Sequence, residues 1–343
     1  MKEMEIDSQM VYLSIVLVTH NNLSLLKKTL SSLIRAIYKL QHSTEIIIID
    51  NASSDETPIF LDQFKQTCSK NFLVKIVHNR VNSHSYAVNL GVNMARGKYI
   101  LKIDDDIIIH ENAVVEALKV IESDEKIGSV QALWVDWKDS RIGYLHEVDI
   151  MLSFQRKPVL VERVQEEYVE VPFPIIFFVI FKRNVLGTST ILDPWYHVAY
   201  DEVDFGFKLN AIGLKNVVAT RSLVKHKGPA KRTPDKYFYY EFRNRIATII
   251  GHFPLFLLIK SILFYTVTFI AVSIIRVFIF NDVFSARCLL KSLFALKDIF
   301  ANLRYLLHKR KCTRNLYSGK SLNIFRLLKP PYLSISYLKR TSK

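Results

Sequence analysis

The 343-residue sequence predicts an α/β fold, a mostly parallel sheet flanked by helices, followed by a helical, membrane-associated C-terminal region. Three observations carry this. Short apolar runs of β-type composition alternate with segments whose apolar residues recur at helical spacing, as in a sheet built from strand–helix–strand units. Several of these runs end in carboxylates, at the strand ends where such sheets bind their ligands. The charge is also divided: residues 1–220 carry 23 Lys and Arg against 28 Asp and Glu, whereas residues 221–343 carry 24 against 4.

LSIVLVTH, Leu13 to His20, reads as a buried strand, and Leu25, Leu26, Leu30, Leu33, Ile34 and Ile37 repeat with helical spacing after it. EIIIIDN gives a second strand ending at Asp50. The helix after it starts at Pro58, where a missing N–H costs nothing, and runs to about Cys68. LVKIVHN is a third strand, and SHSYAVNLGVNMARG a helix closed by Gly97 as its C-cap. Gly97 to Asp106, GKYILKIDDD, is the strand on which the domain centres. A helix from Glu111 to Ser123 and a strand SVQALWV come next. Asp136 to Glu170 is an irregular, charged excursion of the kind that carries specificity. VPFPIIFFVIF resumes a buried strand. Asp201, Glu202 and Asp204 open a helix that runs to Ala211 and is stopped by Gly213, and NVVATRSLVKHKG is a last strand ending in His226.

The three cysteines, Cys68, Cys288 and Cys312, lie far apart with no CxxC spacing, so neither a disulfide framework nor a zinc site is suggested and a reducing compartment fits. MKEMEIDSQM has acids and no apolar core, so a cytosolic N-terminal part without a secretory leader is expected. The basic last third implies a polyanionic partner, nucleic acid or anionic membrane lipid, and the rise in hydrophobicity there favours lipid. Phe253 to Phe280 is long enough to cross a bilayer, with Lys260 and Arg276 on nearly opposite faces. Beyond it, Arg287, Lys291 and Asp298 project to one side of a helix and Leu296, Ile299, Phe300, Leu303 and Leu307 to the other, as in an interfacial helix on anionic lipid. The expected domain division is 1–235 and 236–343.

Asp104, Asp105 and Asp106 sit side by side where the central strand ends. Such acids repel one another unless a cation neutralises them, and hard oxygen ligands point to Mg²⁺ or Mn²⁺; the other reading is a solvated acidic turn before a helix. Asp201, Glu202 and Asp204 have the same two readings, a catalytic cluster or a first helical turn complementing the helix dipole. Trp195 and Tyr196 could line a sugar pocket or pack in the core. His226 alone reads as an ordinary histidine.

Taken together, residues 13–228 resemble the family 2 glycosyltransferases of GT-A fold, through SIVLVTHNN, IIIIDNASSDET, the Asp104-Asp105-Asp106 run and YDEVDFGFKL in the family's order. The resemblance implies a nucleotide-diphosphate sugar donor, bound by Thr19, Asp50, Asn89, Asp104 and Asp105, with Asp50 reading the base. It implies a divalent cation held by Asp104 and Asp106 as a DxD motif, with His226 completing the shell. It also implies a catalytic base from the pair Asp201 and Glu202. A diphosphate leaving group needs charge neutralisation, and an acceptor hydroxyl needs a base on the opposite face of the sugar. That role is assigned to Glu202, with Asp201 its rival, and direct attack inverts the anomeric centre. YFYYEFRNRI, with Arg243 and Asn244, resembles the segment after the catalytic domain in rhamnosyl- and galactofuranosyl-type members.

The expectation is therefore a metal-dependent hexosyltransferase on the cytoplasmic side of the cell membrane, acting on a glycan or polyprenyl-linked acceptor in polysaccharide synthesis. A non-catalytic donor-binding or scaffolding member of the fold and a basic nucleic-acid-binding protein are the alternatives. Because the basic residues accompany an apolar run, nucleic acid is not expected as a partner. Two departures from the family stand out, the second in the donor pocket. Lys208 stands where a bidentate Arg is usual, and Asn82 to His84 read NSH where Asn-x-Gly is common.

Overall fold

The computed structural model describes residues 11–68, 72–187, 190–227, 234–280, 283–316 and 327–330. In chain order the elements are β1 (Leu13–Thr19), α1 (Leu23–Ile37), β2 (Thr44–Asn51), α2 (Thr57–Cys68), β3 (Leu73–Asn79), α3 (His84–Met94), β4 (Tyr99–Asp104) and β5 (Ile107–Ile109). They continue with α4 (Ala113–Ser123), β6 (Ile127–Val135), β7 (Ile142–Val148), β8 (Phe154–Leu160), β9 (Tyr168–Val171), β10 (Phe178–Lys182), α5 (Asp201–Ala211) and β11 (Lys215–His226). The helices α6 (Pro234–His252), α7 (Leu255–Phe280), α8 (Val283–Ala301) and α9 (Leu303–Leu316) complete the chain. Its compact units are Met1–Leu145 with Pro158–Lys231, and His146–Lys157 with Arg232–Lys343. The sequence places the division after residue 235; the structure differs in assigning His146–Lys157, inside the charged excursion, to the second unit.

The first unit is a mixed sheet with helices on both faces. Its main path is β3-β2-β1-β4-β10-β6-β11-β5. β1 is parallel to β2 and β4, and β2 to β3, while β10 runs antiparallel between β4 and β6. Strict alternation along β1 feeds two cores. Leu13, Ile15 and Leu17 pack with Leu26, Leu30 and Leu33 of α1 and Val114 and Ile121 of α4, whereas Val16 and Val18 pack with Ala87 and Val88 of α3 and Phe205 and Leu209 of α5.

Two local expectations change. Gly97 does not cap α3, which ends at Met94 with Ala95 already extended. Gly97 is needed because a Cβ there would lie 2.5 Å from the Ser14 backbone nitrogen. VPFPIIFFVIF is not one strand: β9 ends at Val171, and β10 starts only at Phe178, after two prolines that cannot donate to a ladder. Gly213 does stop α5, at φ +86°. Gly206 lets α5 approach the chain closely, since a Cβ there would fall 2.6 Å from the Phe173 Cα.

In the second unit α6 is the buried helix, with Phe242, Asn244, Ala247, Thr248 and Ile249 inside. α8 brings Ser285, Cys288, Ser292, Ala295 and Ile299 inward, a stripe of mostly small residues that permits close helix packing. Arg243 and Tyr239 of α6 both donate to Asp298 at 2.9 Å, and Arg310 of α9 donates to the carbonyls of Ile250 and Phe253. Ser261 of α7 donates to the Ile150 carbonyl at 3.0 Å and Arg245 to Ser153 at 3.2 Å, which ties residues 146–157 to this unit. The interfacial face drawn from sequence changes accordingly. Asp298 turns to α6 and Ile299 is buried, so the exposed face of α8 mixes Leu290, Leu293, Phe294 and Phe300 with Arg287 and Lys297. α7 is long and apolar enough to cross a membrane and is largely exposed, with Phe256 at 75% and Phe278 at 79%. Residues 1–10, on which the expectation about a leader rests, lie outside the described residues.

Candidate active site

Parallel pairing brings the carboxyl ends of four strands to one edge. Thr19 stands opposite Asp50, Val18 opposite Asp104, and Asn51 opposite Asn79. Side chains lock the loops that leave this edge. His20 Nδ1 lies 2.9 Å from the Asn51 carbonyl, Asn21 accepts from the Ser54 amide at 2.7 Å, and Asn51 donates to Asn82 at 3.1 Å. Asn21 and Ala52 take positive φ angles of 49° and 63°, left-handed backbone of the kind found at functional loops.

The three central acids have three different environments. Asp105 accepts from Thr19 Oγ1 at 2.6 Å and from Asn22 Nδ2 at 2.9 Å. Burial, with Asp104 and Asp106 on either side, outweighs those donors and pushes its carboxyl up to about 6. Asp104 is also penalised by burial, but the Lys102 ammonium, His84 and His226 hold it below the ordinary range. Asp106 faces His226, whose Nε2 lies 3.2 Å from Asp106 Oδ1.

Ligand atoms of Asp104, Asp106 and His226 all lie within 4.8 Å of one another. Apart from that contact between Asp106 Oδ1 and His226 Nε2, Asp106 Oδ1 and His226 Nδ1 are buried with no hydrogen-bond partner among the described residues. Two carboxylates and an imidazole converging in this way, with a buried carboxylate oxygen among them, fit a divalent cation. The His226 ring is fixed by stacking on Phe177, with centroids 4.9 Å apart, and by Trp134 at 5.1 Å. Strand β11 delivers this histidine through a register shift between Ala219 and Leu223.

The acidic cluster of α5 sorts in the same way. Asp201 is buried and accepts from Ser85 of α3 at 3.3 Å, Glu202 is half-buried, and Asp204 is fully buried and ion-paired with Lys208 at 2.9 Å. Lys208 thus serves the helix itself. His197, Ala199 and Tyr200, just before α5, all have positive φ, so the chain enters this helix through strained backbone. Of the two aromatics read as a sugar platform, Tyr196 is wholly buried in the core and only Trp195 keeps exposed surface.

Asp50 is held by His78 at 2.9 Å and by the Ser53 amide at 3.1 Å. Hydrogen bonding to Asp50, joined by Asp62, raises the His78 pKa against the effect of burial. Asn89, a donor contact by the resemblance, is engaged within the chain. Its amide donates to the Leu192 carbonyl at 2.6 Å and its oxygen accepts from the Leu192 amide at 3.0 Å, clamping α3 to the segment before α5. Sequence reading missed Lys102, Ser85 and His78. Lys102 alone carried a signal, as a charge inside an otherwise apolar strand.

Residues 14–189 match the profile described as Glycosyl transferase family 2. A poly-β-1,6-N-acetyl-D-glucosamine synthase of Staphylococcus epidermidis is 31% identical over 119 residues, 34% of this chain and 27% of that protein. A dolichyl-phosphate β-glucosyltransferase of Dictyostelium discoideum is 34% identical over 103 residues, 28% of this chain and 31% of the relative. The matches thus span about a third or less of each relative. Among solved structures, Staphylococcus aureus TarS 1–349 superposes with a TM-score of 0.53 at 15% identity, covering 90% of this chain and 89% of that one. The mannosyltransferase PcManGT of Pyrobaculum calidifontis, in complex with GDP-Man and Mn²⁺, gives 0.53 at 15%, over 93% and 84%. These two likenesses establish the shared fold. With the profile covering half of its length and its acids gathered at one sheet edge, the chain belongs to glycosyl transferase family 2.

Proposed function

We propose that the protein is an inverting glycosyltransferase that moves a sugar from a nucleotide-diphosphate donor to a hydroxyl of a glycan or lipid-linked acceptor, in polysaccharide synthesis at the cytoplasmic side of the membrane. The observation that carries this reading is the convergence of Asp104, Asp106 and His226, with ligand atoms within 4.8 Å of one another, at the carboxyl edge of the sheet. A divalent cation, Mn²⁺ or Mg²⁺, would be held by these three residues and would supply charge neutralisation for the departing diphosphate. The relatives support the donor class: PcManGT is described with GDP-Man and Mn²⁺, and TarS 1–349 with UDP-GlcNAc.

The chain's own groups do the rest. Asp50, anchored by His78 and the Ser53 amide, offers a fixed carboxylate to the base. Glu202, half-buried at the start of α5, takes the acceptor proton as the new glycosidic bond forms and the nucleoside diphosphate leaves with the old bond's electron pair. Asp201, held by Ser85, orients that first turn. The exposed apolar residues of α7 and α8, with Arg287 and Lys297 among them, suit anionic lipid rather than nucleic acid. The test is a screen of UDP-, GDP- and dTDP-sugars with Mn²⁺ for hydrolysis and transfer, with the anomeric configuration of product read by NMR. A retained anomer would remove direct displacement, and no turnover together with donor binding would favour the non-catalytic reading.

A further inference from the structure

Position 102 lies mid-strand in β4, opposite Val16 of β1 on one side and Val179 of β10 on the other. Ile100, two residues before it on the same face, is wholly buried. Pattern and packing both demand an aliphatic residue, yet the chain has a lysine whose side chain is 2% exposed. Burying an ammonium is costly unless it is paired and hydrogen-bonded, and this one is both. Its Nζ donates to the Ile176 carbonyl at 2.8 Å and forms an ion pair with Asp104 Oδ1. The spacing i, i+2 on a strand puts both side chains on one face, so the sheet itself aims the ammonium at the carboxylate.

We propose that Lys102 is a positioning residue that competes with the divalent cation for Asp104 and so sets the affinity of the ion site. The inference rests on reading Asp104, Asp106 and His226 as that site. With Lys102 in place, Asp104 is oriented before any cation arrives, and one of its oxygens is already engaged. An incoming ion must share this carboxylate with the neighbouring ammonium, while Asp106 and His226 supply its other ligands. The result is a preformed but weakened site, suited to an ion that enters and leaves with the nucleotide. A lysine present only for sheet stability would instead leave ion affinity unchanged when neutralised.

The experiment is Mn²⁺ titration of the full chain in detergent, without nucleotide, followed by electron paramagnetic resonance of the free ion. Lys102→Met should bind Mn²⁺ about tenfold or more tightly than the unmodified chain, since a unit charge next to the ion has been removed. Lys102→Arg should restore the original affinity. Lys102→Gln keeps a donor for Ile176 and removes only the charge, so it gives the same reading should the Met variant fail to fold. In a chain carrying Asp104→Asn, neutralising Lys102 should tighten binding much less. Unchanged or weaker affinity in folded Lys102→Met or Lys102→Gln would overturn the proposal. So would loss of fold in both while Lys102→Arg folds, since the lysine would then serve the fold alone. If the unmodified chain binds no Mn²⁺, or Asp106→Ala binds it equally well, the ion site itself is wrong, an outcome distinct from failure of the Lys102 role.

Discussion

At the scale of single residues, environment separates acids that look equivalent in the chain. Asp105 is fastened by Thr19 and Asn22, Asp104 is committed in part to Lys102, and Asp106 faces His226. Asp106→Ala is therefore expected to abolish metal-dependent nucleotide binding with little change in melting temperature, measured by donor titration with and without Mn²⁺. Unchanged ion affinity would reject the assignment. Asp201 and Glu202 differ in the same way, one buried against Ser85 and the other half-exposed. Glu202→Gln should lower kcat by about two or more orders of magnitude with donor affinity nearly intact. If Asp201→Asn alone has that effect, the two roles are exchanged. The identities of these acids could be read from sequence because motifs keep residue types in order. Their different environments could not, because these depend on Ser85 and Phe177, which come from other parts of the chain, and on the burial of Lys102 within the same strand.

At the scale of elements, one buried carboxylate fastens the parallel half of the sheet. Glu45, at the start of β2, accepts from Ser14 of β1 at 2.6 Å, from Lys75 of β3 at 3.1 Å and from the Arg96 amide before β4 at 2.7 Å. Burial alone would raise its pKa, but those donors together hold it below its ordinary value of 4.5. A depressed folded pKa adds stability that is present above the unfolded value and lost as pH falls through the folded one. Glu45→Gln should thus cost about 1–3 kcal/mol at neutral pH, as expected for hydrogen bonds to a charged group, and progressively less below pH about 4.5. Urea denaturation at pH 7 and pH 4 checks this; an equal penalty at both would reject the charge-dependent part. The strands Glu45 joins were legible from their apolar runs, and so were α1, α2 and the helix stop at Gly213. The break between Val171 and Phe178 was not legible, because apolar composition outweighed the prolines. β5 went unseen because three residues are too few for a periodic signal.

At the scale of the whole molecule, the C-terminal unit carries the helix on which the proposed membrane attachment turns. α7 passes the length and composition tests for a span, but the helices after it turn back. Asp298 on α8 pairs with Arg243 on α6, and Arg310 on α9 binds the carbonyls that end α6, so the chain beyond α7 returns to the helix that precedes it. A single crossing would leave α6 on one side of the bilayer and α9 on the other, and would break these bonds. The exposed surface formed by α7 and α8 carries Phe256, Leu263, Phe278, Leu290 and Phe294 together with Arg287 and Lys297, the mixture expected of helices seated at the headgroup boundary of anionic lipid. Cys312 on α9 is exposed and provides a native probe. With Cys68 and Cys288 replaced by Ser, an impermeant thiol reagent should leave Cys312 unlabelled in intact cells and label it after permeabilisation, placing α9 on the cytosolic side. Labelling in intact cells would mean that α9 is exported, and both the returning hairpin and the cytoplasmic anchor would have to be abandoned.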